Sequence, residues 1–305
     1  MRLLVTGRHG FVGTALARLI ESDPELAQWT LAEVPPAFDL CDAHAVQMLV
    51  ASAVPEAVIH LAARSSVPEA FRDQEATYRV NFLGTLHLLQ ALQRAGFAGP
   101  VVFASSGDVY GSVPEAELPI RETRLPAPRN PYAVSKLAAE ALCQQWAITE
   151  NMHIVIARPF NHIGPGQSTR FVVSDFARQV AEVKLGRREP VLEVGDIDVT
   201  RDFTDVTDIV HGYFALLGAG RPAECYNLCS GRETSVRQIL ERLADLAGVR
   251  VTVRQDPARL RRSEQRRVAG DPGKMRAETG WTASTPIDDS LRAMLQHWEG
   301  ERPNG

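Results

Sequence analysis

The sequence has no excess of positive charge, since 33 Lys and Arg residues face 37 Asp and Glu residues for a formal net charge of -4. Proteins that bind nucleic acid or anionic membranes usually carry a basic surplus. It also has no apolar run of about 18 residues, the length that a membrane-spanning helix needs. The first glycine turn follows Met1 too closely for a signal peptide to precede it. We therefore expect a cytoplasmic protein that binds neither nucleic acid nor membrane and acts on a small molecule.

Cysteine is scarce as well. The four cysteines form no CxxC pair and no compact Cys/His cluster with the spacing of zinc ligands. We expect reduced thiols that mostly fill the core, and we predict no metal site. With 45% hydrophobic residues, the 305-residue chain can bury a sizeable core.

What the sequence does contain is an alternation of short β-branched runs with long amphipathic stretches. This pattern is typical of a doubly wound parallel sheet of the Rossmann type in the α/β class, with helices on both faces. The clearest predicted strands are Leu3–Thr6, Ala57–Leu61, Val101–Ala104 and Ile154–Ala157. The clearest predicted helices are Phe11–Glu21, Glu75–Ala95 and Tyr132–Thr149.

The pattern changes after Pro159, where Pro and Gly punctuate Phe160–Gln167, and irregular elements are predicted over Val191–Phe203 and Asp256–Trp281. A smaller C-terminal substrate-binding lobe explains this change. We predict that residues 1–160, with about 204–232, form the dinucleotide-binding domain. Residues 161–203 and 233–305 are then the lobe, and the absence of a low-complexity linker indicates one rigid unit.

A glycine-rich turn, Gly7, Gly10 and Gly13, directly follows the first predicted strand and opens a helix. Glycines there let the backbone approach a pyrophosphate, whose charge is favoured at a helix N-terminus. Taken alone, the motif fits an ordinary glycine-rich turn about as well as it fits a dinucleotide-binding turn. We predict cofactor contacts from Gly7, Gly10, Phe11, Val12, Gly13, Asp39, Leu40, Leu61, Ala62, Ala63, Tyr132 and Lys136.

Tyr132 and Lys136 are four residues apart on a predicted helix, so both side chains share one face. A nearby ammonium stabilises a phenolate and lowers its pKa, which suits a proton donor for ketone reduction. Ser106 follows a strand at the ligand-binding edge of the sheet, where its hydroxyl can bind the same oxygen. An exposed helix pair is the alternative for Tyr132 and Lys136 taken alone. The serine and the glycine turn together favour catalysis.

With these motifs in place, the chain resembles the extended short-chain dehydrogenase/reductase family, and within it the members that act on GDP-linked 6-deoxy-4-ketohexoses. The resemblance spans nearly the whole chain and is carried by five segments: 6–13, 105–111, 130–136, 158–167 and 201–203. It implies NADPH- or NADH-dependent reduction of the C4 ketone of GDP-4-dehydro-6-deoxy-D-mannose to GDP-D-rhamnose, by a homodimer. GDP-mannose 4,6-dehydration and non-catalytic sensing of NAD(P) are the alternatives.

Roles follow from the resemblance for individual residues. Ser106, Tyr132 and Lys136 are then catalytic, and Ser106 and Asn161 contact the sugar nucleotide. The same resemblance implies that Arg201 and Arg262 bind the pyrophosphate of the sugar nucleotide and that Glu264 binds its ribose. Arg262 belongs to an arginine-rich stretch, 250–267, which is otherwise interpreted as a solvated face or a nucleic-acid patch. Asp256 and Glu264 interrupt this stretch and argue against nucleic acid.

The chain departs from the related dehydratases at Asp108, where they commonly have a glutamate two residues after the catalytic Ser or Thr. The shorter carboxylate must reach further to remove a proton from C5, and a displacement of about 1 Å can cost on the order of a hundredfold in rate. Ketone reduction needs no such base. Asp108 is therefore only a possible catalytic residue, and its presence favours a reductase.

Overall fold

The computed structural model describes residues 1–36, 38–259 and 265–301. Its strands are β1 (Arg2–Thr6), β2 (Thr30–Leu31), β3 (Ala57–His60), β4 (Val101–Ala104), β5 (Ile154–Pro159), β6 (Asn161–Ile163), β7 (Val191–Val194), β8 (Thr200–Asp205), β9 (Cys225–Leu228), β10 (Glu233–Ser235) and β11 (Thr252–Gln255). Its helices are α1 (Phe11–Ser22), α2 (Ala43–Ala53), α3 (Val67–Arg72), α4 (Gln74–Tyr78), α5 (Gly84–Arg94), α6 (Pro131–Thr149), α7 (Val172–Lys184), α8 (Val206–Ala219), α9 (Val236–Ala247), α10 (Gly273–Thr279) and α11 (Ile287–Gly300).

Six parallel strands form the central sheet in the order β2-β1-β3-β4-β5-β9. Every residue of β3, β4 and β5 is buried. Strands buried on both faces read as continuous apolar runs, which is why the sequence reveals them. The predicted α/β class with a doubly wound parallel sheet is confirmed.

Helices cover both faces of this sheet. One face is packed by α2, α5 and α6, with Leu49, Leu88 and Cys143 among the buried contacts. The other face is packed by α1 and α8, with Leu16 and Tyr213 buried against the strands. Because the strands are parallel, the C-terminal ends of β1, β3 and β4 lie at one edge of the sheet, where ligands bind in open α/β sheets.

The second part of the fold contains the three-stranded sheet β10-β8-β6 and the parallel pair β7 and β11. Helices α7, α9 and α11 enclose its core, which includes Phe176, Leu240 and Leu291. Two regular strands, β7 and β8, therefore lie in the stretch Val191–Phe203 that was expected to be irregular. The division of the chain into a dinucleotide-binding domain and a lobe stays a prediction.

The single predicted helix Glu75–Ala95 is α4, a five-residue π-helix (Arg79–Leu83) and α5 in succession. The wider turn contains Asn81, which is buried. Its amide holds both backbone polar groups of Arg64, accepting from N at 2.8 Å and donating to O at 3.1 Å. A π-bulge commonly marks such a local demand on side-chain placement.

No helix among the described residues is long and apolar enough to cross a membrane.

Candidate active site

The glycine turn between β1 and α1 is the tightest part of the site. Gly7 has a φ of 75°, in the left-handed region, and a Cβ there would lie 2.7 Å from the backbone nitrogen of Ala62. A Cβ on Gly13 would lie 2.5 Å from the carbonyl oxygen of Gly7. Gly10 is the N-cap of α1 and brings no side chain to the helix start. The turn thus leaves α1 amides open toward the ligand edge of the sheet, as pyrophosphate binding requires.

The other predicted cofactor positions have different surroundings. Leu61, Ala62 and Ala63 follow β3 directly and are partly exposed. Asp39 is exposed, and its carboxylate accepts a 2.8 Å hydrogen bond from the backbone nitrogen of Cys41. Leu40 is buried at 5% exposure, so its side chain belongs to the core rather than to an open surface. Cofactor contact by these residues stays a prediction.

Lys136 lies on the buried face of α6, 2% exposed. Its Nζ donates a 2.6 Å hydrogen bond to the carbonyl oxygen of Ala104, the last residue of β4, and lies 4.8 Å from the ring centroid of Phe103. Burial lowers the pKa of the ammonium from 10.5 to about 8, because desolvation disfavours the charged form. The charge is therefore held by a backbone carbonyl and an aromatic face.

Tyr132, one turn earlier on α6, is partly buried. Burial of the phenol raises its pKa, the charge of Asp108 raises it further, and a hydrogen bond with Ser106 opposes them. This direction is opposite to the lowering expected from Lys136, because burial of the phenol is the largest influence on its pKa. A phenol with a raised pKa is protonated at neutral pH, which is the state that a proton donor needs.

Ser106 and Asp108 share one short turn. Ser106 caps the 3₁₀ turn Gly107–Tyr110, and its hydroxyl oxygen accepts a 3.2 Å hydrogen bond from the backbone nitrogen of Asp108. Asp108 is exposed. The structure therefore brings Ser106, Tyr132 and Lys136 together at the end of β4, with the carboxylate of Asp108 close enough to influence the phenol.

The residues predicted to bind the sugar nucleotide lie in the second part of the fold. Asn161 opens β6 and is exposed. Arg201 lies on β8, and its Nη1 donates to the carbonyl oxygens of Thr200 at 2.7 Å and Gln265 at 3.0 Å. Arg262 and Glu264 lie outside the described residues. Substrate contact by these four residues stays a prediction.

The described members of the arginine-rich stretch are mostly paired with acids of the same surface. Arg254 contacts Glu193, and Arg259 contacts Asp175 at 2.7 Å. Arg267 makes paired hydrogen bonds of 2.8 Å to Glu233. These ion pairs favour the interpretation of a solvated, charge-balanced face over a nucleic-acid patch.

His60, at the end of β3, is a core residue. Its ring nitrogens contact the hydroxyls of Thr6 at 2.5 Å and Thr85 at 3.0 Å, and burial lowers its pKa to about 3.

The described part of the chain contains no cluster of three or more His, Cys, Asp or Glu side chains that could hold a metal ion.

Two buried residues near the site were not predicted from the sequence. Asn81 donates a 2.8 Å hydrogen bond to Ser135 Oγ, which in turn donates to the Tyr132 carbonyl at 2.6 Å. Glu140 accepts hydrogen bonds from Ser105 and from Arg158. The sequence carries a signal for Glu140, which lies four residues after Lys136 on the same helix face.

The fold and this site define an extended short-chain dehydrogenase/reductase. A sequence profile of the family described as GDP-mannose 4,6 dehydratase matches residues 36–294. The chain therefore belongs to this family.

Two relatives and one solved structure refine the comparison. The chain is 52% identical over 298 residues to a GDP-6-deoxy-D-mannose reductase from Pseudomonas aeruginosa, covering 98% of this chain and 97% of the relative. It is similar to the solved structure of RMD from Pseudomonas aeruginosa complexed with NADPH, with a TM-score of 0.92, 51% identity and 98% coverage of both chains. A GDP-6-deoxy-D-talose 4-dehydrogenase from Aggregatibacter actinomycetemcomitans is 29% identical, over 90% of each chain.

Proposed function

We propose that this protein is an NAD(P)H-dependent reductase of the C4 ketone of GDP-4-dehydro-6-deoxy-D-mannose, and that it forms GDP-D-rhamnose. The observation that carries the proposal is the convergence of Ser106, Tyr132 and Lys136 at the end of β4, at the same edge of the parallel sheet as the glycine turn. The 52% identity to a GDP-6-deoxy-D-mannose reductase supports the substrate.

The cofactor site fits a dinucleotide. A Cβ at Gly7 or Gly13 would collide with the protein's own backbone, so only glycine permits this tight turn. The tight turn is what lets the backbone approach a dinucleotide closely. The amides at the start of α1 would hold the pyrophosphate, and Lys136 would contact the adjacent ribose. When bound, the nicotinamide supplies the hydride for the ketone.

The side chains supply the proton and hold the oxygen. Tyr132, protonated at neutral pH, donates its phenolic proton to the oxygen as negative charge develops there. Ser106 donates a hydrogen bond to the same oxygen and orients the ketone. Lys136, positively charged below about pH 8, stabilises the phenolate that remains.

The lobe provides charge for the nucleotide. Arg201 presents a guanidinium on β8, and such a planar group can make paired bonds to phosphate oxygens. We assign Asn161, at the start of β6, a contact with the sugar nucleotide. We assign Arg262 and Glu264 to the pyrophosphate and ribose on the resemblance alone.

The site favours reduction over dehydration. Removal of water across C5 and C6 needs a base for C5 and an acid for the departing hydroxyl, in addition to the groups above. Asp108 is exposed and follows Gly107, so it offers at most a short carboxylate for one of these roles. The 4-epimeric product, GDP-6-deoxy-D-talose, is the alternative outcome of the same reduction.

We further propose a cytoplasmic homodimer. The helical segments Glu75–Ala95 and Tyr132–Thr149 would pair with their symmetry mates across a two-fold axis. Apolar side chains on these segments support the pairing, since Leu83 and Val134 are each 40% exposed and Ile148 is 73% exposed.

Two reactions separate the proposed activity from its alternatives. GDP-mannose with catalytic NADP should give no keto sugar, whereas GDP-4-dehydro-6-deoxymannose with stoichiometric NADPH should give cofactor oxidation and a 6-deoxyhexose. NMR of the second product distinguishes the rhamno from the talo configuration. Turnover in the first reaction would identify a dehydratase, and turnover in neither would leave a nucleotide-binding sensor.

A further inference from the structure

Four buried side chains beside the active site form a hydrogen-bonded chain that the proposed chemistry does not use. They are Ser105, Glu140, Arg158 and Tyr110, with exposed fractions of 3%, 1%, 4% and 0%. Burying a carboxylate and a guanidinium is costly unless both are well paired. Their presence here calls for a functional explanation.

Each of these four side chains is hydrogen-bonded to its neighbour in the set. Ser105 Oγ donates to Glu140 Oε1. Arg158 binds both oxygens of Glu140, with Nε donating to Oε1 at 2.9 Å and Nη2 to Oε2 at 2.6 Å. Its Nη1 donates to Tyr110 Oη at 3.0 Å, and Tyr110 donates to Asn227 Oδ1 at 2.7 Å. A bidentate pair of this kind fixes the carboxylate in one orientation.

The two ends of this hydrogen-bonded network, Ser105 and Tyr110, flank one short segment of the polypeptide, residues 106–109. Ser105 directly precedes Ser106, and Tyr110 ends the 3₁₀ turn that Ser106 caps. The segment 106–109, which carries the reactive serine, is therefore attached to Glu140 at one end and to Arg158 at the other. Neither attachment uses an atom of Ser106 itself.

The same contacts join the end of β4 to α6. Three successive residues after Phe103 are each bonded to one of three α6 residues spaced by four. These pairs are Ala104 with Lys136, Ser105 with Glu140, and Ser106 with Tyr132. The first and third pairs contain the groups of the proposed chemistry. The Ser105–Glu140 pair contains no reacting group and adds a third bond that holds the end of β4 against α6.

We propose that Ser105, Glu140, Arg158 and Tyr110 are positioning residues that hold Ser106 and Tyr132 in register for proton transfer to the ketone. This inference rests on the proposed reductase function. It assigns to the second serine of the Ser105-Ser106 pair the contact with substrate, and to the first the placement of that contact.

The test replaces Ser105 with Ala, which removes one hydroxyl and leaves the Glu140–Arg158 pair intact. Ser290→Ala is the matched control, because Ser290 Oγ donates at 2.5 Å to a second buried carboxylate, Asp205, in the other part of the fold. Both variants lose the same kind of bond. Only the first should disturb the chemistry.

We expect Ser105→Ala to lower kcat for the 4-keto sugar by about 10- to 100-fold, the scale of a displacement of about 1 Å. NADPH affinity, measured by fluorescence, should remain within about threefold of wild type, since less than 1 kcal/mol is then lost. The solvent deuterium isotope effect on kcat should rise, because proton transfer becomes more rate-limiting. Ser105→Thr, which restores the hydroxyl, should recover most of the rate.

Tyr110→Phe breaks the attachment at the other end of the segment and provides a second test if Ser105→Ala does not fold. It should show the same combination of lower kcat, unchanged NADPH affinity and larger solvent isotope effect. Ser290→Ala should keep wild-type kcat and isotope effect even where its melting temperature falls equally.

The outcomes separate this inference from the proposed function. A wild-type enzyme without activity on the 4-keto sugar refutes the proposed function. An active wild type whose Ser105→Ala and Tyr110→Phe variants match Ser290→Ala in kcat and isotope effect refutes the positioning role alone.

Discussion

Lys136 Nζ donates a 2.6 Å hydrogen bond to the carbonyl oxygen of Ala104, and this bond joins α6 to the end of β4. The ammonium therefore has a structural partner in addition to its proposed chemical role. Variants of Lys136 should consequently combine two effects, whereas variants of Tyr132 should show one.

Tyr132→Phe should lower kcat by about a hundredfold or more, the usual contribution of a positioned proton donor, with little change in NADPH affinity. Lys136→Ala should lower kcat similarly and also weaken NADPH binding, because the contact with the cofactor ribose is lost. Steady-state kinetics and fluorescence titration measure both quantities, and circular dichroism confirms the fold. Near-wild-type rates in both variants would contradict the catalytic assignment.

NADPH binding should weaken as the pH rises through about 8, where the buried Lys136 ammonium loses its proton. The sign follows from burial, which brings the pKa down from 10.5 and removes the positive charge earlier than in water. Dissociation constants from pH 6.5 to 9.5 test this expectation. Lys136→Met should bind weakly with no inflection near pH 8, and an unchanged inflection in that variant would assign it to another group.

The protein should use both NADPH and NADH with a modest preference. Glu33, the nearest acid after β2, is exposed and followed by two prolines, while Arg8 Nη1 lies 3.4 Å from the Ala32 carbonyl at the end of that strand. Arg8 is thus near the region where a 2′-phosphate binds in this fold. The ratio of kcat/KM for the two cofactors measures the preference, and a ratio above about a thousandfold, roughly 4 kcal/mol, would contradict this expectation.

Arg8→Ala should weaken NADPH binding by about 3- to 20-fold and leave NADH binding unchanged, because one partly exposed charge contact of about 1 kcal/mol or slightly more is lost. Arg18→Ala is the matched control, since Arg18 is an exposed arginine of α1 beyond the glycine turn. Equal losses for NADPH and NADH would exclude a role for Arg8 in recognising the phosphate.

Asp108→Asn should retain reductase activity within about threefold, a change of less than 1 kcal/mol, because no step of ketone reduction requires this carboxylate. It should also lower the pKa of Tyr132, whose phenol is influenced by the Asp108 charge. The pH profile of kcat/KM reports that shift. Efficient formation of keto sugar from GDP-mannose by the wild type, lost in Asp108→Asn, would instead identify a dehydratase with an aspartate base.

A homodimer should be the smallest species in solution. Light scattering at micromolar concentration measures the mass, and Val134→Lys should shift it toward the 33.5 kDa monomer by placing a charge on the pairing surface. Val253→Lys is a control at another exposed apolar residue, 43% exposed on β11. A wild-type protein that is strictly monomeric would rule out the dimer.

Much of the fold could be predicted because its determinants are local. The strands β3, β4 and β5 are buried on both faces and appear in the sequence as mainly apolar runs, in which only His60 and Arg158 are polar. The helix Phe11–Ser22 begins directly after its glycine turn. Tyr132 and Lys136 share a face because their spacing is helical.

The parts that were missed depend on contacts between distant segments. The π-helix at Arg79–Leu83 contains Asn81, whose side chain is hydrogen-bonded to the backbone of Arg64, 17 residues away. Glu140 was overlooked because acids on helices are usually exposed, and only its pairing with Arg158 allows it to be buried. The direction of the Tyr132 pKa shift also depends on how deeply the fold buries the phenol and on the nearby charge of Asp108.

The order of strands in the central sheet has a consequence for synthesis. The edge strand β9, Cys225–Leu228, pairs with β5 only after the intervening segments of the second part have been made. The same holds for α8, whose Tyr213 and Leu216 cover one face of the sheet. A nascent chain that ends near residue 160 therefore displays an unpaired strand and an uncovered apolar layer. Until translation passes residue 228, the emerging polypeptide should depend on the ribosome surface or a chaperone to avoid aggregation.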